Sequence, residues 1–167
     1  MNKNRIVALL LGLVMSLVMS LGMFHSTPAS AGDRYGKQKV VYHINYDDPK
    51  LQASALGNIQ NHINAVGAEN LDLKVVLHGN GLSLLLEPDS LAKLPRFKHA
   101  NADEQMTAKI DGLKQQGVVF NVCENTVKGR KVDVDTDLYN VDPGDIVPSG
   151  VAELARLQAL GYAYIKP

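Results

Sequence analysis

Cys123 is the only cysteine in the 167-residue chain, and its setting is one in which a thiol can become reactive. It directly follows the apolar run Val118-Val-Phe-Asn-Val122 and directly precedes Glu124-Asn125-Thr126, a stretch suited to a helix start. The partial positive charge at a helix N-terminus lowers a thiol's pKa and raises its thiolate fraction. Glu124 works against this, because an adjacent carboxylate raises a thiol's pKa. The plainer reading is a buried cysteine packing as a small apolar residue. His78 closes another apolar run, so in a parallel sheet it would emerge on the same edge as Cys123 and act there as acid or base. Its plainer reading is a loop histidine bonded to backbone. Asn45 and Asp47 end the first such run and would border the same area. His43, His62 and His99 show no ligand spacing and read as structural.

Two motif-like strings fail on inspection. Gly79-Asn-Gly81 lacks the third glycine of a dinucleotide fingerprint, since position 84 is Leu. Asp133-x-Asp135-x-Asp137 opens like a calcium loop, but its sixth position is Leu138 and its twelfth is Gly144. It reads as a solvated acidic loop. No metal site or cofactor is expected.

The elements that must position these groups follow from periodicity. Residues 39–45 are rich in β-branched and aromatic side chains and predict a first strand. Asp48-Pro49 then supplies a helix cap with proline at the first helical position. Leu51, Ala55, Ile59, Ile63 and Val66 recur at helical spacing up to Gly67, a C-terminal cap. A second strand covers residues 71–77, whereas 81–86 is apolar but ambiguous and 90–95 an irregular turn or short helix. Residues 102–116 predict a helix with Met106, Ile110 and Leu113 on one side. Residues 118–122 form an uninterrupted apolar strand suited to the interior of a parallel sheet. The polar stretch 124–145 holds one short helix and a loop, and residues 146–147 a short strand. Ser149 caps a helix carrying Val151, Leu154, Leu157 and Leu160, and residues 162–165 form a last strand. Alternating strands and helices predict an α/β sandwich with a mostly parallel sheet.

The first 31 residues carry a different signal. Lys3 and Arg5 precede an apolar run over residues 6–24, and Ala29-Ser-Ala31 closes it. That is the pattern of a cleavable secretory signal peptide, so the protein is expected in the periplasm or secreted. Removing residues 1–31 leaves 136 residues with 15 basic against 17 acidic side chains, a net charge of −2. Residues 32–38 read as a flexible leader and 39–167 as one domain. A slightly acidic domain lacks the electrostatic footprint of a nucleic-acid binder. No later apolar stretch is long enough to span a bilayer, and one cysteine excludes an internal disulfide.

Val75-Val-Leu-His-Gly79, Gly117-Val-Val-Phe-Asn-Val-Cys-Glu-Asn-Thr126, Ile146-Val-Pro-Ser-Gly-Val-Ala-Glu-Leu154 and the Gly161-Tyr-Ala-Tyr-Ile-Lys-Pro167 ending together resemble the DsrE/DsrF-like family. The last two are most similar to its secreted, uncharacterised branch. The resemblance implies a compact three-layer α/β sandwich and a homo-oligomer, often a trimer or hexamer. Some members relay sulfur as a persulfide on a cysteine, and Cys123 falls where that cysteine lies. The implied role is sulfur handling through Cys123, with His78, Gly79, Asn125 and Thr126 beside it and an unidentified sulfur donor and acceptor. The signal peptide departs from the cytoplasmic sulfur relays. The alternative is a non-catalytic small-ligand-binding or oligomeric assembly module with a structural cysteine, and a third possibility is an intermolecular disulfide.

Overall fold

A computed structural model describes residues 34–167; the expected targeting segment, residues 1–31, lies outside them. Strand β1 (Gln38–Ile44) leads through helix α1 (Pro49–Val66) to β2 (Leu71–Leu77). Two 3-10 turns (Gly79–Leu84 and Pro88–Lys93) and helix α2 (Glu104–Gln115) connect β2 to β3 (Val119–Cys123). Helices α3 (Glu124–Arg130) and α4 (Val134–Asp137), strand β4 (Ile146–Val147), helix α5 (Gly150–Ala159) and strand β5 (Ala163–Ile165) complete the chain. The caps are local and legible. Asp48, Asp103 and Ser149 each accept a hydrogen bond from the amide three residues on, at 2.9, 2.8 and 3.4 Å.

The strands are all parallel, in the order β4-β3-β2-β1-β5. The chain steps outward from β1 to β4, then returns across the sheet to add β5 on the far side of β1. Right-handed crossovers place helices on opposite faces when the direction of travel reverses. Helices α1 and α2 accordingly pack against the face bearing Tyr42, Val75, Phe120 and Val122. Helix α5 covers the other face, where Leu154, Leu157 and Tyr162 meet Val41 and Val76. This is the expected three-layer α/β sandwich. Burying a side chain such as Phe120 (1% exposed) contributes about 2–3 kcal/mol.

The helix faces differ in detail from the periodicity. Leu51, Val151 and Leu160 are 56%, 65% and 52% exposed. Gln52 and Leu56 turn inward on α1 instead. Gln52 is tolerated there because its amide is satisfied: it donates to the Tyr46 carbonyl (2.6 Å) and Ser83 hydroxyl (3.0 Å) and accepts from Asn101 (2.7 Å).

The ambiguous stretch after β2 is a buried 3-10 turn, and Gly81 explains its tight fit. A Cβ there would collide with the Ile44 carbonyl, so the turn presses backbone to backbone against the end of β1. The acidic string 133–137 is not a solvated loop. Asp133 caps α4, while Asp137 is buried and takes hydrogen bonds from the Ser90 hydroxyl (2.8 Å) and the Asp133 amide (2.9 Å), with Lys93 paired beside it. Those donors outweigh the cost of burying its charge.

Candidate functional site

Strand parity decides which side chains meet at the carboxyl edge. Val41 and Val76 face α5, so His43, two residues on from Val41, and His78, two on from Val76, fall on that same face. Asn121 pairs with Val76 in the register, and Cys123, at the end of β3, shares its side of the sheet. The sheet edge beneath the start of α5 therefore gathers Cys123, His78 and His43. Ligands in open α/β sheets bind at this edge, near the point where strand order reverses.

Cys123 stands at the N-cap position of α3 without forming a capping hydrogen bond. Polar groups from two directions nevertheless act on its thiol. Burial, at 5% exposure, pushes the thiol pKa up. The Gly150 amide at the start of α5, the Thr126 hydroxyl, and the amides of Thr126 and Asn125 together outweigh it and hold the pKa below the ordinary thiol value. Thr126 is set for this by its own acceptor role. Its Oγ1 accepts the Gly79 amide proton at 2.9 Å, so its own hydroxyl proton is free to turn toward the sulfur. Glu124 is drawn off by Lys128, 2.8 Å away on the next turn, so its carboxylate does not dominate the thiol.

The approach of α5 depends on Gly150. A Cβ there would lie 2.9 Å from His78 Cβ and 3.2 Å from Cys123 Cβ. His78 and Cys123 thus pack on the same glycine from two strands. His78 does not behave as a loop histidine bonded to backbone: its Nε2 lies 2.7 Å from Nε2 of His43, whose Nδ1 lies 2.7 Å from the Tyr164 hydroxyl. Burial, the neighbouring imidazole and Lys166 lower the His43 pKa to about 4, and burial with Lys166 also lowers that of His78. Both rings are neutral at pH 7.

Of the residues singled out from sequence, Cys123, His78, Gly79, Asn125 and Thr126 come together. Asn45 and Asp47 make contacts with other residues. Gly81 packs against the Asn45 backbone, the Asp47 carbonyl accepts from Asn101 at 3.0 Å, and the Asp47 carboxylate lies 3.9 Å from His99. His43, which reads as structural from sequence, stands with Cys123 and His78, as do Tyr164 and Gly150, for which the sequence alone suggests no site role. One signal was present: Val40-Val-Tyr-His-Ile-Asn45 and Val75-Val-Leu-His-Gly-Asn80 share the string Val-Val-x-His-x-Asn, which puts both histidines at the same parity near strand ends. His62 bonds Tyr42 (3.1 Å) and Gln38 (2.8 Å) away from this edge. Among the described residues, no group of three or more His, Cys, Asp or Glu side chains is placed to hold a metal ion. Nor is any described helix long and apolar enough to cross a membrane.

Comparison with known proteins agrees with this architecture. No match was found among curated proteins. Among solved structures, the crystal structure of the YchN protein from E. coli shares the fold with a TM-score of 0.54 at 18% identity, covering 78% of this chain and 99% of that one. The model of the DsrE/DsrF-like family matches residues 39–167. With that match over most of its length, the chain belongs to the DsrE/DsrF-like family.

Proposed function

We propose that the protein carries sulfur as a persulfide on Cys123, acting as a sulfurtransferase-like carrier. The observation that carries this reading is the place of Cys123 at the end of β3 and the start of α3, packed on Gly150 beside His78, where nearby amides and the Thr126 hydroxyl favour its thiolate. A thiolate is the form that attacks sulfane sulfur, and the same donors suit the terminal sulfur of a persulfide anion. Membership of a family associated with sulfur relay supports it. Reduced protein incubated with polysulfide or thiosulfate is expected to gain about 32 Da, one sulfur atom, per adduct on Cys123. A Cys123→Ser variant should gain none, and an unmodified wild-type mass would sink the proposal.

The N-terminal sequence pattern supports a periplasmic or secreted site of action, which fractionation of cells expressing the full chain tests directly. Family resemblance supports a homo-oligomer, to be measured by light scattering. A second reading has one observation in its favour: Cys123 is only 5% exposed, as befits a structural cysteine in a small-ligand-binding or assembly module. Thiol titration separates the two. A pKa at or above about 8.5 favours the structural role and a depressed one the carrier.

A further inference from the structure

The contact between His43 and His78 restricts where protons can be. Their rings are inclined by 21° with centroids 4.8 Å apart. A nitrogen–nitrogen distance of 2.7 Å is shorter than any face-to-face stacking distance, so the rings meet edge to edge through Nε2. Two protons at that contact would clash, and with none the two lone pairs would repel. The pair therefore holds one proton there, donated by one ring and accepted by the other. His43 continues the chain through Nδ1 to the hydroxyl of Tyr164, which is 42% exposed on the outer strand. Among the described residues nothing bonds the remaining ring nitrogen of His78, Nδ1, and it is not sealed off from solvent.

The chain has two polarities. In one, His43 donates Nδ1–H to Tyr164, His78 donates Nε2–H to His43, and Nδ1 of His78 is bare. In the other, Tyr164 donates to His43 Nδ1, His43 donates Nε2–H to His78, and His78 carries Nδ1–H. Shifting every proton by one bond converts the first into the second without charging either ring. Burial and Lys166, the cation acting on both rings, support this neutral shuttle over an imidazolium. The other titratable groups at the cluster are Tyr164 from β5 and Cys123 across Gly150; Val76 and Asn121, in register with His43, carry no charge.

We propose that Tyr164, His43 and His78 form a proton wire between solvent and the sulfur site, with His43 and Tyr164 acting as positioning residues through His78. This rests on the sulfur-carrier reading for its purpose but not for its existence. In the transfer step the Cys123 thiolate attacks the outer sulfur of a donor R–S–SH. The Sγ–S bond forms, the donor S–S bond breaks, and R–S⁻ leaves with the electron pair. His78 gives R–S⁻ its Nδ1 proton, His43 replaces it at His78 Nε2, Tyr164 replaces the one lost from His43, and water re-protonates Tyr164. The products are Cys123–S–SH and R–SH, and no external oxidant or reductant is consumed.

The test uses the full reduced chain and the variants Tyr164→Phe and His43→Gln. Long-range proton–nitrogen spectra should show one strongly downfield proton correlated with Nε2 of both His43 and His78. Tyr164→Phe, a change at a half-exposed ring, should lock His43 as the Nε2–H form and His78 as the Nδ1–H form, because an unpaired buried acceptor costs less than an unpaired donor. With an organic persulfide as donor, both variants should slow sulfur uptake by roughly ten- to hundred-fold, leaving the Cys123 pKa in place. Absence of the shared proton, or tautomers indifferent to Tyr164→Phe, overturns the wire whether or not Cys123 takes up sulfur. Wild-type uptake rates in both variants overturn its role in transfer. A wild-type chain that shows the shared proton and its tautomer response but takes up no sulfur overturns the carrier reading and leaves the wire standing.

Discussion

A Cβ on Gly150 would lie 3.2 Å from Cys123 Cβ, and the Gly150 amide is among the groups that hold the thiol pKa down. The amide's influence depends on that closeness, because only a residue without a side chain lets the start of α5 come so near to the end of β3. Gly150→Ala should therefore force α5 outward, at a cost of about 1–3 kcal/mol. It should also raise the Cys123 pKa by withdrawing a donor. Denaturant unfolding and pH-dependent alkylation with iodoacetamide measure the two effects, and the idea is wrong if the pKa stays put while stability falls.

Thr126 holds the loop after β2 beside the thiol through a single oxygen. Replacing it by Val removes a hydroxyl that favours the Cys123 thiolate and strands the Gly79 amide, whereas Ser keeps the hydroxyl. Thr126→Val is expected to raise the thiol pKa and to cost roughly 1–2 kcal/mol. Thr126→Ser should stay near wild type on both counts. Equal effects of the two substitutions would show that methyl packing matters rather than the hydroxyl.

The His43 imidazole is held neutral by burial, with its pKa lowered from 6.5 to about 4. Between those values the unfolded chain binds a proton that the folded one refuses, so folding stability rises with pH through that window. His78, lowered as well, adds to the effect with the same sign. Stability should be complete above pH 6.5 and fall by roughly 1–3 kcal/mol as pH drops toward 4. Urea midpoints at a series of pH values give the slope. His43→Gln should flatten it, and an unchanged slope in that variant would remove His43 as its source.

Asp137 is buried among Ser90, Lys93 and the Asp133 amide. Asp137→Ala leaves those donors without an acceptor and should cost about 3 kcal/mol or more. Asp137→Asn keeps one oxygen acceptor and should cost less. Thermal unfolding ranks them, and an alanine variant as stable as wild type would mean that water replaces the carboxylate at no cost.

Short-range chemistry made much of this structure legible. Asp48-Pro49, Asp103 and Ser149 mark helix starts by capping, and the uninterrupted apolar strand ending at Val122 signals a sheet covered on both faces. Cys123 and His78 follow from strand ends alone. What escaped depends on pairing between distant segments. His43 joins the site only because β1 lies beside β2 at a particular register, and Tyr164 only because β5 crosses back to β1. Gly150 has no local signal, since its importance comes from two side chains on other strands. Gln52 and Asp137 look like surface residues until the partners that satisfy them are known, and Leu51 looks like core until α1 turns it outward.

The return of β5 to the side of β1 bears on how the molecule is made. During synthesis β1 appears first and β5 last, so one long flank of β1 stays bare while nearly everything between them is translated. Val40, Val41 and Tyr42 lie on that open edge, a template any stray strand could join. Tyr164 both shuts that edge and bonds His43, so the nascent chain stops being sticky when the hydrogen-bonded chain at the sulfur site is completed.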